Sequence, residues 1–240
     1  MRLDKMLANS GLGTRSEVRA LIARGAVSVN GSIAKKADLQ VSETDEVLCN
    51  GNPVSSDEHL YFLLDKPDEV LTAMEDPRLK CVGGFIPDNL RGRKLSPVGR
   101  LDYHTTGLLV ITNDGTLSHR LQSPKYKIRK VYAVHFDGPA WTDKEIKEVA
   151  SGITLTDMEK PTPLSPAEVR QAEDGKAFIT LTEGKTHEVR RIFANFGKEV
   201  TALRRIELGC LKIKEDTAEC GALRELTKDE VDGLRTLTGL

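Results

Sequence analysis

Apolar positions fall into two rhythms along the chain. Near the start they recur at helical spacing. Leu3, Met6 and Leu7 share one face of a short helix, and Val18, Leu21 and Ile22 share one face of a second. Gly11-Leu12-Gly13 separates the two, Thr14 stands where an N-cap belongs, and Gly25 stops the second helix. Ala26-Val27-Ser28-Val29 then alternates as a strand and runs into the hairpin turn Asn30-Gly31. From residue 59 onward the runs are strand-like. Residues 60–64 read as one strand, with residues 70–74 as its short partner. Residues 108–111 are a continuous apolar run bounded by turn residues, the mark of a buried strand. Residues 131–136 alternate until Asp137-Gly138-Pro139, and Val169 and residues 178–181 flank the hairpin signal Glu173-Asp174-Gly175. Capping boxes at Thr142–Glu145 and Thr227–Glu230 open two helices, and residues 187–196 form another that Gly197 closes. Strands outnumber helices without alternating regularly with them. The expected class is α+β, with a mixed, largely antiparallel sheet and helices on its faces.

Charge adds a division that the apolar pattern only hints at. The 240 residues carry 35 Lys+Arg against 36 Asp+Glu, yet residues 1–36 hold seven bases and two acids, and residues 37–58 hold six acids and no base. Asn50–Glu58 reads as a turn and linker, which divides the chain into a basic module, 1–57, and a larger domain, 58–240. Arg15 and Arg19 lie one helical turn apart, with Arg24 at the end of the same helix, a face suited to a phosphate backbone as well as to plain solvation. No apolar run approaches the roughly 18 residues of a membrane span, and the first residues lack a signal-peptide core. Cys49, Cys81, Cys210 and Cys220 form no Cys-x-x-Cys pair, and the five histidines show no ligand spacing, so reduced thiols, no metal and a cytoplasmic location are expected.

Candidate chemistry gathers in the larger part. Gly99-Arg100-Leu101-Asp102 places a guanidinium and a carboxylate in a glycine-bracketed loop ahead of the buried run at 108–111. The pair alone reads equally well as a structural ion pair or as a reactive site. Tyr132 sits inside a strand pattern, and Arg190 and Arg191 open a helix after Gly184-Lys185-Thr186-His187-Glu188.

Taken together these motifs resemble a known family. Arg2-Leu3-Asp4-Lys5, Thr14-Arg15-Ser16 and Arg24-Gly25-Ala26-Val27-Ser28-Val29-Asn30-Gly31 are similar to an S4-type RNA-binding module. Gly99–Asp102 with Thr105–Leu109 and Thr112–Gly115, supported by Asp65-Lys66-Pro67, Lys130-Val131-Tyr132 and Glu183–Arg191, resembles the pseudouridine synthases that modify bacterial ribosomal RNA. The resemblance implies isomerisation of uridine to pseudouridine without cofactor or metal. It makes Asp102 the nucleophile, Arg190 the cation that keeps it charged, and Tyr132 the aromatic under the flipped base. Arg100 is implied as the residue that fills the vacated stack, with Arg15, Arg19, Arg24, Lys185 and Arg191 as further RNA contacts. Glu188 departs from the Gln usual there, and His104 matches no catalytic position. The Thr105-Thr106-Gly107 variant and the absence of a basic C-terminal tail favour small-subunit (16S) ribosomal RNA, naked or in an assembling particle, with a monomeric enzyme. Large-subunit (23S) RNA is the alternative target, and a non-catalytic ribosome-assembly factor the alternative class.

Overall fold

A computed structural model of the protein describes residues 1–42, 44–54, 59–157, 160–173, 175–215 and 220–240. Two compact units emerge. One comprises Met1–Leu60 with Ile86–Leu95, the other Tyr61–Phe85 with Ser96–Leu240. The second piece of the first unit departs from a single cut at residue 57. Residues 86–95 pack with the first unit, and Gly92 comes close to the backbone of Gly11.

In the first unit, α1 (Leu3–Asn9) and α2 (Arg15–Ala23) precede a four-stranded antiparallel sheet of β1 (Val27–Val29), β2 (Ser32–Ile33), β3 (Val47–Cys49) and β4 (Asn52–Pro53), in the order β2-β1-β3-β4. Thr14 caps α2 reciprocally: its Oγ1 accepts from Glu17 N–H at 3.3 Å while Glu17 Oε2 accepts from Thr14 N–H at 2.6 Å. Asn30 and Gly31 both take positive φ, 49° and 77°, the requirement of the tight turn between β1 and β2. Asn50-Gly51 repeats it between β3 and β4, so the turn expected there is present, while residues 55–58 of the expected linker lie outside the described residues. Leu3, Leu7, Val18, Ile22, Val27 and Val47 form the core of this unit.

The second unit is built on a nine-stranded sheet. Its strands are β5 (Tyr61–Lys66), β6 (Ser96–Pro97), β7 (Thr105–Thr112), β8 (Lys130–Asp137), β11 (Glu168–Glu173), β12 (Lys176–Leu181), β13 (Glu199–Leu208), β14 (Leu211–Lys212) and β15 (Leu223–Glu225). The order is β11-β12-β8-β13-β7-β5-β15, with β14 on β13 and β6 on β7. Among the described strands every pairing is antiparallel except β13 with β7. A separate ribbon pairs β9 (Thr154–Leu155) with β10 (Thr162–Pro163). Helices α3 (Gly115–Gln122), α4 (Asp143–Ser151), α5 (Glu188–Asn195) and α6 (Lys228–Thr238) complete the unit. Leu117 and Leu121 of α3 and Leu234 of α6 join Leu63, Leu108 and Val110 in one buried cluster. Trp141 and Phe136 pack edge-on against Phe193 of α5, with ring centroids 5.0 and 5.4 Å apart. The architecture is the expected α+β one. At the β11–β12 hairpin, residue 174 of the expected turn lies outside the described residues.

Two expected elements are corrected. Residues 70–74 are no partner strand of β5, because both edges of β5 are taken, by β7 and β15. Leu71 makes only an isolated bridge to Cys81. The buried strand expected at 108–111 begins three residues earlier, since Thr105, Thr106 and Gly107 pair with Leu203, Arg204 and Arg205.

Candidate active site

The loop from Gly99 to His104 joins β6 to β7, and its backbone is held from both sides of Asp102. Leu101 is buried, and Thr72 Oγ1 donates to its carbonyl at 2.6 Å and accepts from its N–H at 3.2 Å. Lys66, fully buried at the end of β5, donates to Tyr103 O at 3.2 Å and to Pro67 O at 2.9 Å. Asp102 O accepts from Thr105 N–H at 3.0 Å. A carboxylate mounted between two clamped residues has little freedom left to lose. Burial pushes the Lys66 ammonium down to about 8, against the pull of Asp68 and Asp102.

Asp102 borders two clefts of the second unit. One, of about 730 Å3, is lined by Arg100, Asp102, Thr105, Tyr132, Glu188 and Arg205 among others. The other, of about 740 Å3, is lined by Asp102, His104, His187 and Arg190. Strand register brings much of this together. Arg205 on β13 lies beside Gly107 on β7 and Tyr132 on β8, and Leu203 lies beside Thr105. Gly107 has φ +101°, and a Cβ there would stand 2.3 Å from Arg205 O, so only glycine lets β13 approach.

The expected site residues divide. Asp102, Tyr132 and Arg100 line one cleft. Arg190 shares the second cleft with Asp102 but makes no ion pair with it. Its guanidinium donates to Val200 O at 2.9 Å and His104 O at 3.4 Å, bridging the backbone ahead of β7 to that of β13. The basic side chain within ion-pair distance of Asp102 is instead His187, with Nε2 3.7 Å from Oδ1. Arg191, expected at RNA, is turned onto Asp157 in a two-point contact of 2.7 and 2.8 Å and is largely buried. Lys185 lines the Tyr132 cleft while its ammonium pairs with Glu183 at 3.0 Å. In the first unit Arg15 and Arg24 are exposed, whereas Arg19 donates to Asp4, which Arg2 also holds, and these two hydrogen-bonded guanidinium partners keep that carboxyl down to about 2.

Sequence reading gave no role to Thr72, Lys66 or His187. Lys66 falls within Asp65-Lys66-Pro67, and two charged residues ending an otherwise apolar strand were the available signal. Glu188, noted only as a departure, is buried. Its Oε2 accepts from Lys185 N–H at 2.7 Å, and burial pushes its carboxyl up to about 7. No helix of the described residues is long and apolar enough to cross a membrane.

Comparison with known proteins bears on the family of the chain and on its fold. The RNA pseudouridylate synthase family matches residues 60–195, and the S4 domain matches residues 1–47. The ribosomal small subunit pseudouridine synthase A of Haemophilus influenzae is 36% identical, over 98% of this chain and 99% of its own. The ribosomal large subunit pseudouridine synthase B of Bacillus subtilis is also 36% identical, over 98% and 96%. A crystal structure of a pseudouridylate synthase superposes with a TM-score of 0.67 at 34% identity, covering 98% of this chain and 99% of the other.

Proposed function

The chain belongs to the RNA pseudouridylate synthase family, and we propose that it isomerises one uridine of small-subunit ribosomal RNA with Asp102 as nucleophile. The observation that carries the assignment is the Tyr132 cleft, where a half-exposed carboxylate on a doubly clamped loop faces an aromatic side chain across a space of about 730 Å3. Asp102 attacks either C1′ of the ribose or C6 of the uracil. The N1–C1′ bond breaks, the ring turns, the C5–C1′ bond forms, the bond to Asp102 breaks, and N1 gains a proton while C5 loses one, so the net change is an isomerisation. Tyr132 packs under the flipped base and its hydroxyl is placed to help take that proton. Arg100, exposed at the mouth, fills the gap left in the RNA stack. The His187 ring, 3.7 Å from Asp102, and Arg190, bonded to the backbone of the loop through His104 O, orient the carboxylate. Arg15 and Arg24 supply phosphate contacts on the S4 unit, and the enzyme acts as a monomer.

The small-subunit target rests on the Thr105-Thr106-Gly107 variant, and relatives bearing either subunit's name are equally similar. Mapping pseudouridines in both ribosomal RNAs from cells lacking the protein tests it. Loss of one small-subunit site is expected; loss of a large-subunit site alone moves the target there. Asp102→Asn in the purified enzyme abolishes product while RNA binding persists. Turnover at the wild-type rate would remove Asp102 from the chemistry, and RNA binding by the wild type without product in either RNA would favour an assembly factor.

A further inference from the structure

The Tyr132 cleft contains more polar capacity than the protein uses. Glu188 is 4% exposed, and while its Oε2 accepts from Lys185 N–H, its Oε1 is buried with no hydrogen-bond partner. Arg205 is 3% exposed, spends its Nε–H on Leu108 O at 2.8 Å, and leaves one terminal nitrogen buried without a partner. Thr105 Oγ1 is in the same condition. The ammonium of Lys130, also buried, makes a single hydrogen bond among the described residues, to Glu183 O at 3.2 Å. All four line this one cleft. Native proteins rarely leave buried polar atoms unpaired, and several converging on one cleft mark a place where a ligand completes them.

We propose that Glu188 and Arg205 read the Watson–Crick edge of the target uracil: Glu188 Oε1 accepts from N3–H, and Arg205, with Lys130, donates to the flanking carbonyl oxygens. The inference rests on the pseudouridine synthase reading and deepens it. Uracil presents acceptor, donor, acceptor at O2, N3–H and O4, and the protein offers the complement. The reaction itself makes this edge the right one to hold. Exchanging N1 for C5 at the ribose requires a half-turn of the ring about the line through C6 and N3. That half-turn swaps O2 with O4 and leaves N3–H where it was, so the same groups hold the base before and after it turns. Cytosine presents a bare N3 lone pair to the carboxylate and an amino group to the cations, and is repelled at both. Ionised Glu188 uses one oxygen for Lys185 N–H and the other for N3–H, and the arriving donor favours that ionised state.

The test uses the full chain, with uridine, cytidine and 3-methyluridine 5′-monophosphates as binding probes and ribosomal RNA transcripts for turnover. The wild type prefers uridine to both other probes. Glu188→Leu lowers kcat/KM by about tenfold to a hundredfold, the worth of a hydrogen bond to a charged group, and reverses the preference between uridine and 3-methyluridine, because an apolar side chain welcomes the methyl. Loss of the Lys185 contact alone would weaken all three probes without changing their order. Glu188→Gln, nearly isosteric, guards against misfolding: its amide can donate to cytosine N3, so the uridine-over-cytidine ratio falls by about tenfold or more. An unchanged preference order in both variants, or full turnover with Glu188→Leu, overturns the inference. If the wild type makes no pseudouridine, the functional reading fails; if it does and the preferences stay put, only the recognition edge is wrong.

Discussion

Glu188→Gln makes a sharp prediction about stability. The carboxyl stands at 4.5 when unperturbed and is pushed to about 7 in the fold, chiefly by burial. Between those values the folded protein holds a proton that the unfolded chain has released, so wild-type stability falls as pH rises through this window. At roughly 1.4 kcal/mol for each pH unit, the full cost above pH 7 comes to about 3 kcal/mol. Glutamine does not titrate, so the variant escapes this loss. At pH 5 it is the less stable protein by about 1 kcal/mol, having traded a carboxyl for an amide beside Lys185 N–H. By pH 8 it is the more stable by about 2 kcal/mol. Titrating groups with no interaction with Glu188 act on both proteins and cancel in the difference, while Glu183, which adds to the upward push on Glu188, contributes to it. Trp141, the one tryptophan of the chain, packs against Phe193 of α5, so its fluorescence in urea follows the unit that contains Glu188. A stability difference that stays constant from pH 5 to 8 would refute the burial argument.

Gly107→Ala should cost about 3 kcal/mol or more, because strain at φ +101° adds to a Cβ that displaces the Arg205 carbonyl; a loss below about 1 kcal/mol in urea unfolding would mean that β13 can simply move aside. Lys66→Met removes the donor from Tyr103 O, so kcat should fall more than RNA affinity, and wild-type-like kcat would dissociate the clamp from turnover. Its pH signature has the opposite sign to that of Glu188: the wild type carries the cost of a buried ammonium below about 8 and sheds it as pH rises toward 10.5, a gain absent from the variant. Arg15→Ala with Arg24→Ala should lower RNA affinity and reduce the salt slope by about two, while Arg19→Ala, already committed to Asp4, should do less; equal slopes for all proteins would take this face out of the RNA footprint.

Local signals carried most of what was legible in the sequence. The N-cap at Thr14, the capping boxes at Thr142 and Thr227 and the Asn30-Gly31 turn depend on three or four adjacent residues, and each stands where the pattern put it. The longest strand, β13, went unread. Arg204, Arg205 and Glu207 break its apolar alternation, and the placement of the two arginines makes sense only through distant partners: Asp65 for Arg204, at 2.6 and 2.8 Å, and Leu108 O for Arg205. The same blindness to long-range pairing hid Thr72 and His187, whose roles depend on a loop about 30 and 85 residues away in sequence. Tyr132 and Arg100 could be matched by motif, but that they share a cleft with Glu188 and Arg205 depends on sheet register, which no local pattern encodes.

The parallel pairing of β7 with β13, alone among the described strands, also sets an order of events during synthesis. Parallel neighbours cannot be joined by a tight turn, and here nearly a hundred residues separate Gly107 from its partner Arg205. The strand behind Asp102 therefore waits, one edge open, until β13 has been made and threaded between β7 and β8. Late closure of this kind leaves an apolar edge unpaired while the second unit is unfinished. It also keeps an unfinished chain from reacting: with the S4 unit folded first, the emerging protein can hold RNA well before it is able to alter it.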